Sequence, residues 1–290
     1  MTPLVEPGRK AKPRARVETN GPDPSKRSVD WASGVMLGIA VVVAFLSFLW
    51  PLLVAPSAAL DGNALSPFVF AVLLPIVIGI VVSQLSRGTI DPKTLAMLGV
   101  LSALGALSRP LGAGTAGIEF VFIPLILGGR VFGPTFGFLL GSTTLLTSSL
   151  LTGGVGPWLP FQMMAASFVG LGAGLLPGGH RAKPRSRPAH GSWAEIALLG
   201  AYGAVATTLY GALVDLTFWP FNLGLATELS YVAGAPILEN LHRFLLWNAA
   251  TAMGWNLGRA VTTIVTLAIV GRPLLRILRR TNRRATFAPG

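Results

Sequence analysis

The feature that most constrains this chain is the repetition of long apolar runs along nearly its whole length. Of its 290 residues, 52% are hydrophobic and only 12% carry a charge. About 20 apolar residues in a row are enough to cross the hydrocarbon core of a bilayer. Because lipid offers no partner for backbone polar groups, such runs must form helices. The sequence therefore predicts an all-α integral membrane protein with about eight transmembrane helices.

The predicted spans are separated by loops rich in Gly, Pro or charged residues. The fourth run is short, as in a short or tilted span. The eight predicted spans cover residues 33–55, 66–85, 95–107, 120–128, 132–151, 158–176, 193–218 and 241–270.

The placement of basic residues predicts the orientation in the membrane. With both termini in the cytoplasm, all of the 23 Lys and Arg residues lie on the inner side except Arg109, Arg243 and Arg259. This asymmetry follows the positive-inside rule and places both termini on the cytoplasmic side of a bacterial plasma membrane. Residues 1–30 are predicted to be a disordered basic cytoplasmic tail that touches anionic headgroups, and residues 276–290 a second basic cytoplasmic tail. The membrane accounts for the net charge of +12, so no nucleic-acid partner is expected.

A Gly-rich loop and a small-residue helix meet in residues 153–179. The helix carries small residues at close spacing, which favours the close approach of another helix in lipid. Trp158 at its start is typical of the boundary between membrane and water. An ordinary packed helix with an interfacial Trp, and a helix whose loop end faces a wet site, both fit this pattern.

Several polar side chains lie near the outer ends of their predicted spans. A charge at membrane depth needs a partner or a wet cavity. These residues either converge on one outward-facing pocket or each contact water and headgroups individually. Asn248 fits a cavity role or an interhelical hydrogen bond equally well, and Arg259 is expected to reach toward inner headgroups. The outer set is Arg109, Glu119, Asp215, Glu239, His242 and Arg243, with Asn240 and Asn248 on one face of the last span.

The composition argues against several kinds of chemistry. The chain has no Cys and only three His, so thiol catalysis and thiolate metal sites are excluded. It lacks an HExxH motif, paired carboxylates and a phosphate-binding loop with a Lys. An intramembrane serine protease built on Ser142 would need a His at membrane depth, and only His242 is near. No metal, no cofactor and no enzymatic activity are therefore expected.

A set of motifs occurs together between about Thr94 and Arg280. Small residues at 95–107 lead into Arg109, followed by GGRVFGPTFGFLLGS at 128–142, GVGPWLPFQM at 154–163 and GLGAGLL at 170–176. Together with Asp215, Asn240 and Asn248, this set resembles the substrate-binding S component of an energy-coupling factor (ECF) vitamin transporter. Gly-Pro-Trp with Pro-Phe-Gln is most similar to the group assigned to cobalamin and related cargo.

The resemblance implies a six-helix core at residues 94–275, preceded by an additional helix pair at residues 31–93. It implies a membrane-embedded T subunit and two ABC ATPase subunits as partners. In the family, small residues of the first core helix contact the T subunit. The corresponding residues here are Ala96, Gly99, Ala103 and Ala106.

The resemblance also implies an outward-opening pocket that binds a vitamin-like small molecule. The loop at 111–117 would cap it, and the outer ends of core helices four to six would line it. A non-transport membrane scaffold, or a lipid-binding or intramembrane enzyme, is the alternative function. The expected substrate-binding residues are Arg109, Gly114, Thr115, Glu119, Trp158, Gln162, Asp215, Trp219, Asn222, Asn240, His242 and Asn248.

Overall fold

The structure is a computed structural model, and it describes most of the chain from residue 92 onward. The described residues are 92–112, 115–178, 191–221 and 227–286, with 35, 38, 39, 41–43, 45–53, 74–79 and 81–83. The tail at 1–30, the loops predicted at 56–65 and 180–190, Gly114 and Asn222 lie outside them. The chain divides into the units Met1–Gly38 and Ile39–Gly290. In the first unit, Val35 and Gly38 are described, and both are helical.

Every regular element in the described residues is a helix, as expected for an all-α membrane protein. Three helical segments are long and apolar enough to cross a membrane: Pro134–Thr152, Trp193–Phe221 and Met253–Asn282. Shorter apolar helices lie beside them, and the count of eight spans stays a prediction. The main helices are α1 (Pro92–Ser108), α2 (Phe122–Phe132), α3 (Pro134–Thr152), α4 (Leu159–Leu175), α5 (Trp193–Phe218), α6 (Ile237–Thr251) and α7 (Met253–Thr286).

The short helix α2 lies in the interior of the bundle. Its 11 residues span about 16 Å, too little to cross a bilayer upright. All of them except Pro124 and Phe132 are buried. It packs against α1, α3, α4 and α7. The short fourth run in the sequence is therefore a buried central helix.

Glycines allow α2 and α3 to pack directly on the backbone of α4. A Cβ atom on Gly129 or on Gly137 would collide with the carbonyl group of Gly170. Gly133, with φ 103°, separates α2 from α3, and Pro134 then opens α3. The close helix contact predicted from the small residues of α4 is confirmed.

The last predicted span, 241–270, is wrong as a single helix. It is two helices that part at Ala252, because α6 ends at Thr251 and α7 begins at Met253. α6 is amphipathic: Asn240, Phe244 and Asn248, spaced one turn apart, are its buried residues. The apolar residues on its other faces, such as Leu238, are exposed and hide the break in the hydropathy pattern.

Arg259 was expected near the inner side and Glu119 near the outer side, but the two side chains pair with each other. Arg259 lies in the second turn of α7, at the end of the bundle where α1 also ends. α7 continues to Thr286, about 51 Å in all, so the basic segment from residue 276 begins as helix.

The described part of the first predicted span packs on the core. Phe48 is fully buried, with its ring 5.7 Å from that of Phe161 and 6.0 Å from that of Phe168 on α4. The ring centre of Trp50 lies 5.5 Å from that of Phe221, which follows α5. This segment of the additional helix pair thus covers α4 and the end of α5.

Candidate functional site

Charged and amide side chains gather at the end of the bundle where α1 ends and α7 begins. They come from α4, α5, α6 and α7, and from the segment that links α1 to α2. We call this set the polar cluster: Arg109, Glu119, Gln162, Tyr210, Asp215, Asn248, Asn256 and Arg259.

An ion pair between Glu119 and Arg259 joins the linking segment to α7. Arg259 Nε lies 2.9 Å from Glu119 Oε1, and Arg259 Nη1 donates to Asn256 Oδ1 at 2.8 Å. The guanidinium also lies 5.7 Å from the centre of the Tyr210 ring. The two charged side chains are 16% and 21% exposed, so the pair is only partly buried.

Glycines bring the linking segment close enough for this pair to form. A Cβ on Gly117 would collide with the carbonyl of Trp255, and one on Gly258 would collide with the carbonyl of Ala116. Gly117 has φ 78°, in the left-handed region that favours glycine. The backbones of the linking segment and α7 are thus in direct contact, which fixes the position of Glu119.

Two further pairs join a charged side chain to a neutral amide. Arg109 Nη2 donates to Gln162 Oε1 at 2.8 Å, which links the end of α1 to the start of α4. Asn248 Nδ2 donates to Asp215 Oδ2 at 2.9 Å, which links α6 to α5. Of the residues predicted to bind substrate, the structure therefore brings these four together with Glu119.

Tyr210 lies among the three pairs. It is 6% exposed, and its ring meets that of Phe122 edge-on at 4.9 Å. The side chains of Arg109, Glu119, Asp215 and Arg259 lie near its hydroxyl group. The three pairs thus lie around one buried phenol.

Tyr210 and Asn256 were not among the residues predicted to bind substrate, and Arg259 was expected elsewhere. A Cβ on Gly211 would collide with Asn256 and Arg259, so this glycine leaves them room against α5. The available signal was an Asn and an Arg three residues apart within an apolar run. Tyr210 carries no such signal, because a lone Tyr in an apolar helix is typical of packing.

Trp219 and Asn240, also predicted to bind substrate, make contacts with the segment before α6 and with α6 itself. The Trp219 indole N–H donates to the Leu229 carbonyl at 2.9 Å, and its ring packs against Phe244 at 5.6 Å. Asn240 pairs with both backbone groups of Val232, at 3.1 Å and 2.8 Å. These contacts hold the segment before α6 against the bundle.

Three other predicted residues lie at the surface. Trp158 is 42% exposed and its indole N–H donates to the Gly154 carbonyl at 3.1 Å, so it closes its own loop. Thr115 and His242 are exposed. In the described part of the chain, no group of three His, Asp or Glu side chains is placed to hold a metal ion.

The small residues predicted as a partner interface divide into two groups. Ala96, Gly99 and Ala103 are exposed on α1, and no atom lies within 4 Å of the place where a Gly99 Cβ would be. Ala106 is only 1% exposed, so its assignment to this surface is wrong. The reason is that Ala106 lies on the buried face of α1, together with Leu98, Leu101, Ser102 and Gly105.

A second charged group lies at the opposite end of the bundle. Arg130 Nε is 2.9 Å from Glu195 Oε1, and these side chains are 0% and 1% exposed. Arg279 also binds both oxygens of Glu195. Arg130 Nη1 donates to the carbonyls of Leu176 and Pro177 at 3.0 Å and 2.9 Å. This group, which the sequence analysis did not predict, ties α2, α4, α5 and α7 together.

An apolar groove of about 410 Å³ opens between α1, α2 and α7. Leu101, Ile123 and Leu278 are among its lining residues, and Ser108 and Thr266 are the polar ones. The groove differs chemically from the polar cluster, because it offers almost no hydrogen-bonding group.

Residues 93–271 match the model of a protein family described as the ECF transporter, substrate-specific component. The chain belongs to this family. The match begins with α1 and ends within α7, so it includes every residue of the polar cluster. No curated protein and no solved structure matches the chain.

The resemblance to S components is thereby confirmed at the level of the family. Membership makes the chain a transport component of the membrane and implies an ECF T subunit and ATPase subunits as its partners. The likeness to the cobalamin-type group remains a prediction.

Proposed function

We propose that this protein captures a vitamin or related micronutrient outside a bacterial plasma membrane for ATP-driven uptake, as the substrate-specific subunit of an ECF-type ABC importer. A cobalamin-like molecule is the first cargo to test. The observation that carries the proposal is the convergence of Arg109, Glu119, Gln162, Asp215 and Asn248 at one end of the bundle. Ionisable groups at membrane depth are costly and typically mark a substrate path.

The proposed orientation places the polar cluster outside. The opposite end carries Arg130, and the basic residues of α7 begin there with Arg272. The positive-inside rule assigns that end to the cytoplasm, together with both termini. The segment linking α1 to α2, held to α7 by Glu119, would then cover the site from outside.

The exposed small residues of α1 support a docking surface for the T subunit. Ala96, Gly99 and Ala103 form one stripe, and Gly99 with Ala103 has the small-xxx-small spacing that lets helices approach closely in lipid. Two ABC ATPase subunits would act through the T subunit.

The first experiment is mass spectrometry of small molecules that co-purify with the detergent-solubilised protein. We expect a stoichiometric corrinoid or other vitamin, and the same compound should raise Tm in a thermal-shift assay. Absence of any such molecule, together with no stabilisation by a vitamin panel, would contradict the proposal.

A lipid-binding membrane scaffold is the second candidate function. The apolar groove between α1, α2 and α7 favours it, because a cavity with so few polar groups suits an acyl chain. The same mass spectrum would then contain a stoichiometric lipid and no water-soluble cargo.

A further inference from the structure

We propose that the polar cluster selects an amphoteric cargo, which offers an anionic group to Arg109 and an N–H donor or ammonium group to Asp215. This inference rests on the proposed function, because it assigns a chemical class to the cargo of the same site.

Two of the four charges in the cluster lack an ionic partner. Glu119 and Arg259 neutralise each other at 2.9 Å. Arg109 contacts only the neutral amide of Gln162, and Asp215 accepts a hydrogen bond only from the neutral amide of Asn248. Among the described residues the site therefore holds one cation and one carboxylate without a counter-charge in direct contact.

A buried hydrogen-bond donor in the same cluster also lacks a partner. Asn256 is 1% exposed, and its Oδ1 accepts from Arg259, but its Nδ2 group has no acceptor among the described residues. Buried polar groups in folded proteins are nearly always paired. An unpaired amide N–H beside Arg259 therefore points to an acceptor oxygen that the described residues do not supply.

The open positions specify both ends of the cargo. A guanidinium has five N–H donors, and Arg109 uses one of them, so it can still bind a carboxylate or phosphate. Asp215 Oδ1 can still accept from an N–H group, since the recorded bond to Asn248 uses Oδ2. A cargo that carries only an anionic group would bind Arg109 but would shield Asp215 from water without giving it a partner. A cargo that carries only a cationic group would bind Asp215 and leave Arg109 without a partner. Either case leaves a desolvated charge unpaired, which is strongly unfavourable.

The test uses the full chain in detergent and sets of four probes that share one scaffold. Each set holds an amino acid, the carboxylic acid that lacks its amino group, the amine that lacks its carboxyl group and the methyl ester of that carboxylic acid, so the probes are zwitterionic, anionic, cationic and neutral. Cobalamin, with a phosphodiester and carboxamide N–H groups, is compared with cobinamide, which lacks the phosphodiester. Thermal unfolding followed by Trp fluorescence gives Tm, and titration of stabilising probes gives Kd.

We expect amphoteric probes to raise Tm and to bind about 10- to 100-fold more tightly than relatives that lack one group, as a lost charge-assisted hydrogen bond requires. Arg109→Gln should abolish the preference for the anionic group, and Asp215→Asn the preference for the N–H or ammonium group. The matched controls are Arg243→Gln and Glu239→Gln, which make the same charge changes in the exposed pair on α6 and should keep both preferences.

Three results would overturn the inference. They are equal or stronger binding of a singly charged or neutral probe, no stabilisation by any amphoteric probe, and unchanged selectivity in both variants. A neutral cargo that the T-subunit complex still imports would overturn only this inference and leave the proposed function intact. Tight amphoteric binding by a chain that forms no complex with a T subunit would contradict the proposed function alone.

Discussion

Glu195 is the single carboxylate that contacts both Arg130 and Arg279 among the described ion pairs. A buried charge that loses its counter-charge is destabilising by about 3–5 kcal/mol. We therefore expect Glu195→Gln to lower the free energy of unfolding by roughly that amount, because two guanidinium groups would face each other without compensation. Thermal unfolding in detergent measures the change as a lower Tm.

The control for this variant is Glu239→Gln, which removes an exposed ion pair with Arg243. Exposed pairs contribute about 0–1 kcal/mol, so the control should unfold nearly like the unaltered protein. Equal Tm values for the two variants would show that the buried group is not a stabilising contact.

Two glycines on α7 allow a test of the contact between this helix and the segment that links α1 to α2. Gly258→Ala should displace the segment at 115–119 and weaken the Glu119–Arg259 pair, because its Cβ would collide with the Ala116 carbonyl. Gly254→Ala, four residues earlier on the same helix, has open space and should be neutral or slightly stabilising. Proteolysis at residues 115–119 should be faster only in the first variant, and identical rates would contradict the contact.

Single residues of the site could be predicted where their chemistry conflicts with their surroundings. Arg109, Gln162, Asp215 and Asn248 stand beside or within apolar runs, and the structure brings them together in pairs. The role of Trp219 could not be predicted in this way, because an aromatic ring at a helix end packs on a turn as readily as on a ligand.

At the scale of helices, the contact of α3 with α4 depends on missing side chains. Gly170→Val should reduce the free energy of unfolding by a few kcal/mol, because a Cβ there would collide with the Gly137 carbonyl. Gly99→Ala on α1 is the control, since its surroundings are open. Comparable Tm losses in both would refute the close contact.

The exposed stripe on α1 gives a prediction about coupling. The double variant Gly99→Leu and Ala103→Leu should abolish uptake and T-subunit association while cargo binding remains, because bulky side chains prevent close helix approach. Gly99→Ala with Ala103→Ser keeps the side chains small and should transport normally. Undiminished uptake by the Leu variant would show that the T subunit docks elsewhere.

Helix boundaries could be predicted where charge or Gly-Pro punctuates the sequence, as at Gly133 and Pro134. The break at Ala252 was missed because α6 exposes apolar residues. The hydropathy averaged along the sequence therefore stays high from α6 into α7 and shows no boundary. The depth of α2 was missed for a different reason: hydropathy does not separate a short helix buried in protein from one that faces lipid.

At the scale of the molecule, the segment that matches the family is shorter than the segment that folds together. A chain ending at Gly271 would lose Arg279 and the buried side chains of Leu275 and Leu278. We expect it to have a much lower Tm, or to aggregate, because Glu195 would keep Arg130 as its sole ionic partner. A chain ending at Thr286 should match the full-length protein in size-exclusion chromatography and Tm. A stable chain ending at Gly271 would refute this requirement.

Membrane class and the membership of the core in its family followed from composition and motifs, because both are properties of long stretches. The pairing of distant side chains did not, since Glu119 and Arg259 are 140 positions apart and nothing local links them.

The group around Arg130 also has a consequence for the order in which the protein is made. Arg130 leaves the ribosome 65 residues before Glu195, and Arg279 follows another 84 residues later. Until Glu195 has been made, α2 carries an unneutralised guanidinium near its end, which resists burial in lipid or protein. The interior of the bundle can therefore close around Arg130 only after the start of α5 has been synthesised, and the group is complete when the C-terminal helix adds Arg279.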